Sequence, residues 1–241
     1  MRRLAVEHLA VRHGLLHAVR DVSLHLDQGE VVALVGANGA GKTTLLRAIA
    51  GAHAPSGGRI WFDGADVTLI PSHRRVALGI ALVPEGRRLF AQMSVEDNLR
   101  LARSAGRAGR WTLDSVMAAF PQLPPLRPMR AGTLSGGQQQ AVAIARALLT
   151  NPEILLLDEV SLGLSPLAVD QLYASLQTLV ATGTTIILVE QDLNRALGVA
   201  DRVICMLEGR IVLEGPAAEM DRDRVMGAYF GVDRPTAERA P

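Results

Sequence analysis

Gly36-Ala37-Asn38-Gly39-Ala40-Gly41-Lys42-Thr43 decides how this 241-residue chain is read, because it matches in full the phosphate-binding loop G-x-x-x-x-G-K-[ST]. Of the 25 lysine and arginine side chains, only Lys42 is a lysine. A compact, mobile ammonium reaches the β- and γ-phosphates of a nucleotide from so tight a loop, where a planar guanidinium fork does not. The apolar run Glu30-Val31-Val32-Ala33-Leu34-Val35 before the loop reads as a strand, and Thr44-Leu45-Leu46-Arg47-Ala48-Ile49-Ala50 after it reads as a helix. In that setting glycine lets backbone N–H groups converge on phosphate oxygens, and the helix start adds its positive end. Residues Gly36 to Thr43, with Thr44, are therefore the candidate nucleoside triphosphate site.

The chain is long enough for one large α/β domain, or a domain with a small subdomain, and with 49% hydrophobic residues it can fill a sizeable core. A net charge of +1, with arginines scattered among acids, lacks the basic stripe of a nucleic-acid binder. No run approaches the ~18 apolar residues of a membrane span. The N-terminus alternates apolar residues with Glu7, His8 and Arg12 where a signal peptide needs an apolar block. The expectation is a cytosolic chain. Cys205 stands alone in Arg202-Val203-Ile204-Cys205-Met206-Leu207, which reads as a buried strand carrying a packed thiol.

Residues 4–10 and 20–26 alternate apolar and polar positions, as half-exposed antiparallel strands do. Val31–Val35, Ile80–Val83, Ile154–Leu157 and Thr185–Val189 are uniformly apolar, as buried parallel strands are, and 166–180 reads as an intervening helix. Val203–Leu207, Glu208-Gly209 and Arg210–Leu213 form a hairpin pattern. Between about 86 and 150 the pattern is helical at 94–103, 112–119 and 136–149, broken by a Gly/Arg stretch at 104–110 and by Pro121, Pro124, Pro125 and Pro128. This reads as a helical subdomain within a single domain spanning 1–231, followed by a loose tail at 232–241.

Leu134-Ser135-Gly136-Gly137-Gln138 and, after it, Ile154-Leu155-Leu156-Leu157-Asp158-Glu159 follow the phosphate loop in an order that resembles the ATP-binding-cassette (ABC) ATPases, with their LSGGQ signature and Walker B strand. The resemblance implies an α/β fold: a P-loop NTPase sheet core with an N-terminal antiparallel β subdomain and an inserted helical subdomain. It also implies ATP and Mg²⁺ as cofactors. Asp158, at the end of a buried strand, can hold Mg²⁺ with the Thr43 hydroxyl. Glu159 can orient and deprotonate the attacking water. Ser135 also suits a helix N-cap, and the amides behind it offer a second anion site. In the family that site, Leu134 to Gln138, faces the nucleotide of an opposite cassette.

Several positions depart from the common pattern. The residue that stacks on adenine in the family, usually aromatic, corresponds to His13. The loop after Ile80–Val83 carries Glu85 where a Mg²⁺-sensing Gln is usual, and the switch position after Thr185–Val189 is Gln191 rather than His. An amide can still bond a γ-phosphate but carries no charge. Val160 stands where Pro is usual. Pro84-Glu85-Gly86-Arg87-Arg88-Leu89-Phe90 and Leu188-Val189-Glu190-Gln191 are similar to the LivF-type subunits of branched-chain amino acid importers, as are Phe120-Pro121-Gln122-Leu123, Ser161-Leu162-Gly163-Leu164-Ser165-Pro166 and Ala228-Tyr229-Phe230-Gly231.

That resemblance implies a second ATPase of LivG type or a homodimer, two permease subunits, a periplasmic solute-binding protein, and placement on the inner face of the membrane. Arg87, Arg88, Leu89 and Phe90 then fall at the permease contact. Urea and short-chain amide importers remain open. So does a regulatory nucleotide-binding module, against which the intact Lys42 and Glu159 stand. A soluble ABC ATPase acting on DNA or ribosomes needs a long coiled-coil insert or a second cassette, and neither pattern is present.

Overall fold

The computed structural model describes residues 1–105, 107–220 and 222–230; the expected tail at 232–241 lies outside them. The alternating N-terminal stretches form strands β1 (Arg2–His13) and β2 (Leu16–Asp27), an antiparallel pair. Leu4 and Val6 point inward, and so do Leu9 and Val11, out of phase with them. The pairing register shifts between Val6 and Leu9, where His8 takes a φ of 50°, and this bulge restores the apolar face. β4 (Gly57–Phe62) pairs with β1, and β5 (Ala65–Asp66) with β4.

The core sheet runs β10 (Arg210–Pro216), β9 (Arg202–Leu207), β3 (Val31–Gly36), β8 (Thr185–Val189), β7 (Ile154–Asp158), β6 (Ile80–Val83), parallel except for the β9–β10 hairpin. Every residue of β3, β7 and β8 is buried, because both sheet faces are covered; hence the unbroken apolar runs. Side chains alternate between faces. Leu156 and Ile187 pack with α1 (Lys42–Ile49) and the antiparallel sheet. Leu155, Leu157, Ile186 and Leu188 pack on the other side with α3 (Val95–Ala105), α4 (Leu113–Ala119), α5 (Gly136–Leu148) and α6 (Pro166–Ala181). Ala33, Val203 and Cys205 meet α7 (Leu193–Val199) and α8 (Arg222–Phe230). Cys205 is a free buried thiol whose pKa burial pushes up to about 11, as suits a packed side chain.

Among the described residues no helix is long and apolar enough to cross a membrane. α2 (Ser72–Leu78) carries a fully buried cation, Arg75. Its guanidinium donates to the carbonyls of Ala48 and Ile49 at the end of α1 (2.8 and 2.6 Å) and to those of Ile70 and Thr68 (both 2.8 Å). The Ala48 and Ile49 carbonyls are among the last of α1, beyond its i+4 bonds, with Ala48 O also accepting from Gly51 N–H (3.1 Å), so a positive charge there complements the helix dipole. The register Leu34 to Val189 and Val189 to Asp158 brings the carboxyl ends of β3, β8 and β7 to one edge of the sheet. Loops at that edge are where ligands bind in open α/β sheets.

Candidate functional site

The turn from β3 into α1 is possible only because Gly36 takes a φ of 147° and a Cβ there would lie 2.2 Å from the Met206 carbonyl oxygen of β9. Behind it, Gly209 N donates to Ala40 O (3.0 Å), so the β9–β10 turn braces the loop. Lys42, 4% exposed, folds over the loop and donates from Nζ to Gly36 O (2.7 Å) and Ala37 O (3.0 Å). Burial pushes its pKa down while Glu159 and Asp158 pull it back up. Glu159 Oε1 lies 3.9 Å from Nζ.

Thr43, the next residue of α1, donates from Oγ1 to Asp158 Oδ1 at the end of β7 (2.8 Å). Asp158 is fully buried, and its Oδ2 has no hydrogen-bond partner among the described residues. Burial raises its pKa against the Thr43 hydrogen bond, and Glu85 nearby adds to the rise. A buried carboxylate oxygen left unpaired is costly, and a cation relieves it. Among the described residues no three His, Cys, Asp or Glu side chains converge as a metal set. A hard cation held here would take its remaining ligands from phosphate and water.

Glu159 takes a left-handed φ of 47°, and its N–H donates to Val189 O (3.2 Å), so its side chain turns toward the loop. Gln191 Nε2 donates to Glu159 Oε2 (2.8 Å). Val160 is buried in the core beneath. A cleft of about 490 Å³ gathers Asn38, Gly39, Gly41, Lys42, Thr43 and Thr44 with His13, Glu85, Glu159 and Gln191. Leu16 and Leu162 lie on its rim, exposed. His13 Nε2 is 3.2 Å from Thr44 Oγ1, and its ring centroid is 4.5 Å from that of His53, tilted by 56°. Glu85 is exposed in the same cleft. A second cleft of similar volume, about 500 Å³, lies beside Arg107, Trp111 and Glu153 and contains none of these residues.

Leu134 to Gln138 do not line the nucleotide cleft. Ser135 caps α5 in a capping box: Gln138 N donates to Ser135 Oγ (3.3 Å) and Ser135 N to Gln138 Oε1 (2.9 Å). Gly137 has a packing reason of its own, since a Cβ there would lie 2.6 Å from Ala168 Cβ of α6. The Glu85 loop is tied to the same helix. Arg87 and Arg88 have φ of 63° and 48°, Arg87 Nη1 donates to Gln139 Oε1 (3.3 Å), and Arg146 Nη2 to Arg87 O (3.1 Å).

Glu190 is a site residue whose role no motif marks: it is buried between Gln191 and Ser161. An acid directly after the apolar run Ile186–Val189 is the available signal, because burial does not end with the strand.

Residues 19–161 match the ABC transporter family model. The chain is 40% identical to the high-affinity branched-chain amino acid transport ATP-binding protein BraG of Pseudomonas aeruginosa, over 95% of this chain and 99% of that one. It is 31% identical to the lipopolysaccharide export system ATP-binding protein LptB of Escherichia coli, over 97% and 99%. Among solved structures it is similar to the ADP conformation of an ABC transporter cassette, with a TM-score of 0.83 and 27% identity over 96% and 99% of the two chains. It is also similar to a dimeric cassette in a post-hydrolysis state bound to ADP and Pi, with a TM-score of 0.78 and 25% identity over 89% and 98%.

Proposed function

This chain belongs to the ABC transporter family and is an ABC transporter ATPase, and from that premise we propose that it energises uptake of branched-chain or related amino acids as one of two cassettes on separate permease subunits. The observation that carries the ATPase chemistry is the meeting of Lys42, the Thr43–Asp158 pair and the Glu159–Gln191 pair in one cleft.

Lys42, with the Gly36–Thr44 amides, binds the β- and γ-phosphates of ATP once it gives up the Gly36 and Ala37 carbonyls it now holds. Thr43 and Asp158 would hold Mg²⁺, which would supply positive charge to the phosphate oxygens. Glu159 takes the proton of the attacking water, and Gln191 holds one of its oxygens in place. Glu85 reports on the site to the Arg87–Phe90 loop. His13 covers the base with a face smaller than a tyrosine's.

Ser135 and the amides that open α5 are available to a nucleotide on a second cassette. Support comes from their distance from this chain's own cleft and from the dimeric relative with ADP and Pi. Amino acid uptake is supported by the near full-length identity to BraG.

Phe90, 55% exposed, lies over an apolar groove of about 300 Å³ formed with Val76, Pro84, Leu101 and Ala147. Its backbone is held on both sides by the buried Asn98 amide. A permease segment that ends in an apolar side chain would fit this groove, which Arg146 also lines, with Arg88 two residues before Phe90 in the chain. Arg88→Glu combined with Phe90→Ala is expected to release the permease, or to uncouple hydrolysis from uptake, without lowering nucleotide affinity. Normal assembly and transport by this double variant would refute the docking assignment. The 31% identity to LptB favours an export ATPase as the second reading. Uptake of labelled leucine, isoleucine and valine by cells with and without the chain separates the two: loss of uptake supports import, and unchanged uptake overturns it.

A further inference from the structure

Glu190 follows β8, is 3% exposed, and is satisfied by hydrogen-bond donors. Its Oε1 accepts from the backbone N–H groups of Gln191 (2.8 Å) and Asp192 (3.1 Å). Its Oε2 accepts from Ser161 Oγ and Tyr173 Oη, both at 2.7 Å. Burying a carboxylate is costly unless its lone pairs are filled. Here each oxygen fills them from a different segment, one from the turn that carries Gln191, the other from the loop after β7 and from α6. Burial, and next Glu190 itself, push the Tyr173 hydroxyl well above its ordinary range, so it remains a donor. Arg195 of α7 lies 5.4 Å over the Tyr173 ring and pairs with Asp170 and Asp192, closing the far side of the cluster.

Both tied segments reach the nucleotide cleft, one through Gln191 and the other through Leu162, which is half exposed on its rim. We propose that Glu190 is a positioning residue that fixes the turn carrying Gln191 to the Ser161–Ser165 loop, so that the pose of Gln191 against Glu159 follows whatever packs on that loop. The proposal rests on the ATPase reading and adds a mechanical link to it. A neutral side chain at 190 ends the strand at lower cost but cannot accept from both segments at once.

The test uses the full chain and measures single-turnover MgATP hydrolysis, affinity for a fluorescent ATP analogue, and thermal melting. Ser161→Ala with Tyr173→Phe cuts the Oε2 side while leaving Glu190 on the Gln191 turn. It is expected to slow hydrolysis about fivefold or more with affinity within about twofold. Added to Gln191→Ala, it is expected to cause no further loss, because both act through one pose. Ser161→Ala alone is a milder variant in a surface loop and shows the same non-additivity in smaller measure. Hydrolysis at the wild-type rate in the folded double variant, or losses that multiply with Gln191→Ala, would overturn the link and leave the ATPase reading standing. A wild-type chain that neither binds nor hydrolyses MgATP would overturn the ATPase reading itself, and this inference with it.

Discussion

Thr43 at the start of α1 and Asp158 at the end of β7 are joined by a 2.8 Å hydrogen bond that uses one Asp158 oxygen and leaves the other buried without a partner among the described residues. The phosphate loop and the acid thus meet before any ligand arrives, at a cost to the fold. Burial raises the Asp158 pKa. An acid whose folded pKa lies above its unfolded one subtracts stability once the pH has risen through the folded value.

Asp158→Asn is therefore expected to melt above the wild type at pH 7 in the absence of nucleotide and Mg²⁺. It should also bind ATP with no dependence on Mg²⁺ and lose about 10²-fold or more in hydrolysis. Calorimetry and nucleotide titrations with and without Mg²⁺ check both halves. A variant that melts lower and keeps its Mg²⁺ dependence contradicts the assignment.

Ser135 offers a clean way to test action on a second cassette. Aspartate is as good an N-cap as serine, so Ser135→Asp preserves the capping box while adding a carboxylate to the helix start. ATP affinity of the monomer should stay within about twofold, while ATP-driven dimerisation, read by light scattering, should be lost through like-charge repulsion. Gly137 is a poorer probe, because any side chain there collides with Ala168.

Arg75→Met keeps the aliphatic stem but leaves the Ala48, Ile49, Ile70 and Thr68 carbonyls short of a donor. Urea denaturation should show a loss of about 2–4 kcal/mol. A loss below about 1 kcal/mol would mean that water replaces the guanidinium.

Glu30 and Arg202 join β3 to β9 through contacts of 2.7 and 3.1 Å, and Asp27 N–H adds a third bond to Glu30 (2.8 Å). Burial pushes the Glu30 pKa up, but the hydrogen bonds from Arg202 and Asp27 outweigh it, and the pKa lies below the ordinary value. Its stabilisation is present above the unfolded pKa and fades as the pH falls through the folded one. Glu30→Gln should cost about 1–2 kcal/mol at pH 7, and the gap to the wild type should close as the pH falls below the ordinary glutamate range and through the lowered folded pKa. A gap that persists at low pH would assign the loss to packing.

Much of this was legible in the sequence because the decisive signals are local. The apolar runs at Val31–Val35, Ile154–Leu157 and Thr185–Val189 coincide with strands buried on both faces, and Ser135 opens α5 as its spacing implied. β4 and β5 are not legible in the sequence. Gly57-Gly58-Arg59 hides the alternation, and β4 is a strand because β1 supplies its partner. α2 carries an arginine on its buried side, where periodicity looks for an apolar residue. The candidate site was legible in its residues but not in its ties. Lys42 folded on Gly36 and Ala37, Gln191 held on Glu159, and Glu190 bridging two loops are long-range relations that no spacing encodes.

Single-turnover MgATP hydrolysis by the wild-type chain and by Glu159→Gln tests the central claim most directly. The amide keeps the shape of Glu159 but cannot take the proton of water. The account predicts hydrolysis by the wild type, a loss of about 10²–10⁴-fold in the variant, and ATP affinity unchanged within about twofold. Hydrolysis at the wild-type rate in Glu159→Gln would contradict it.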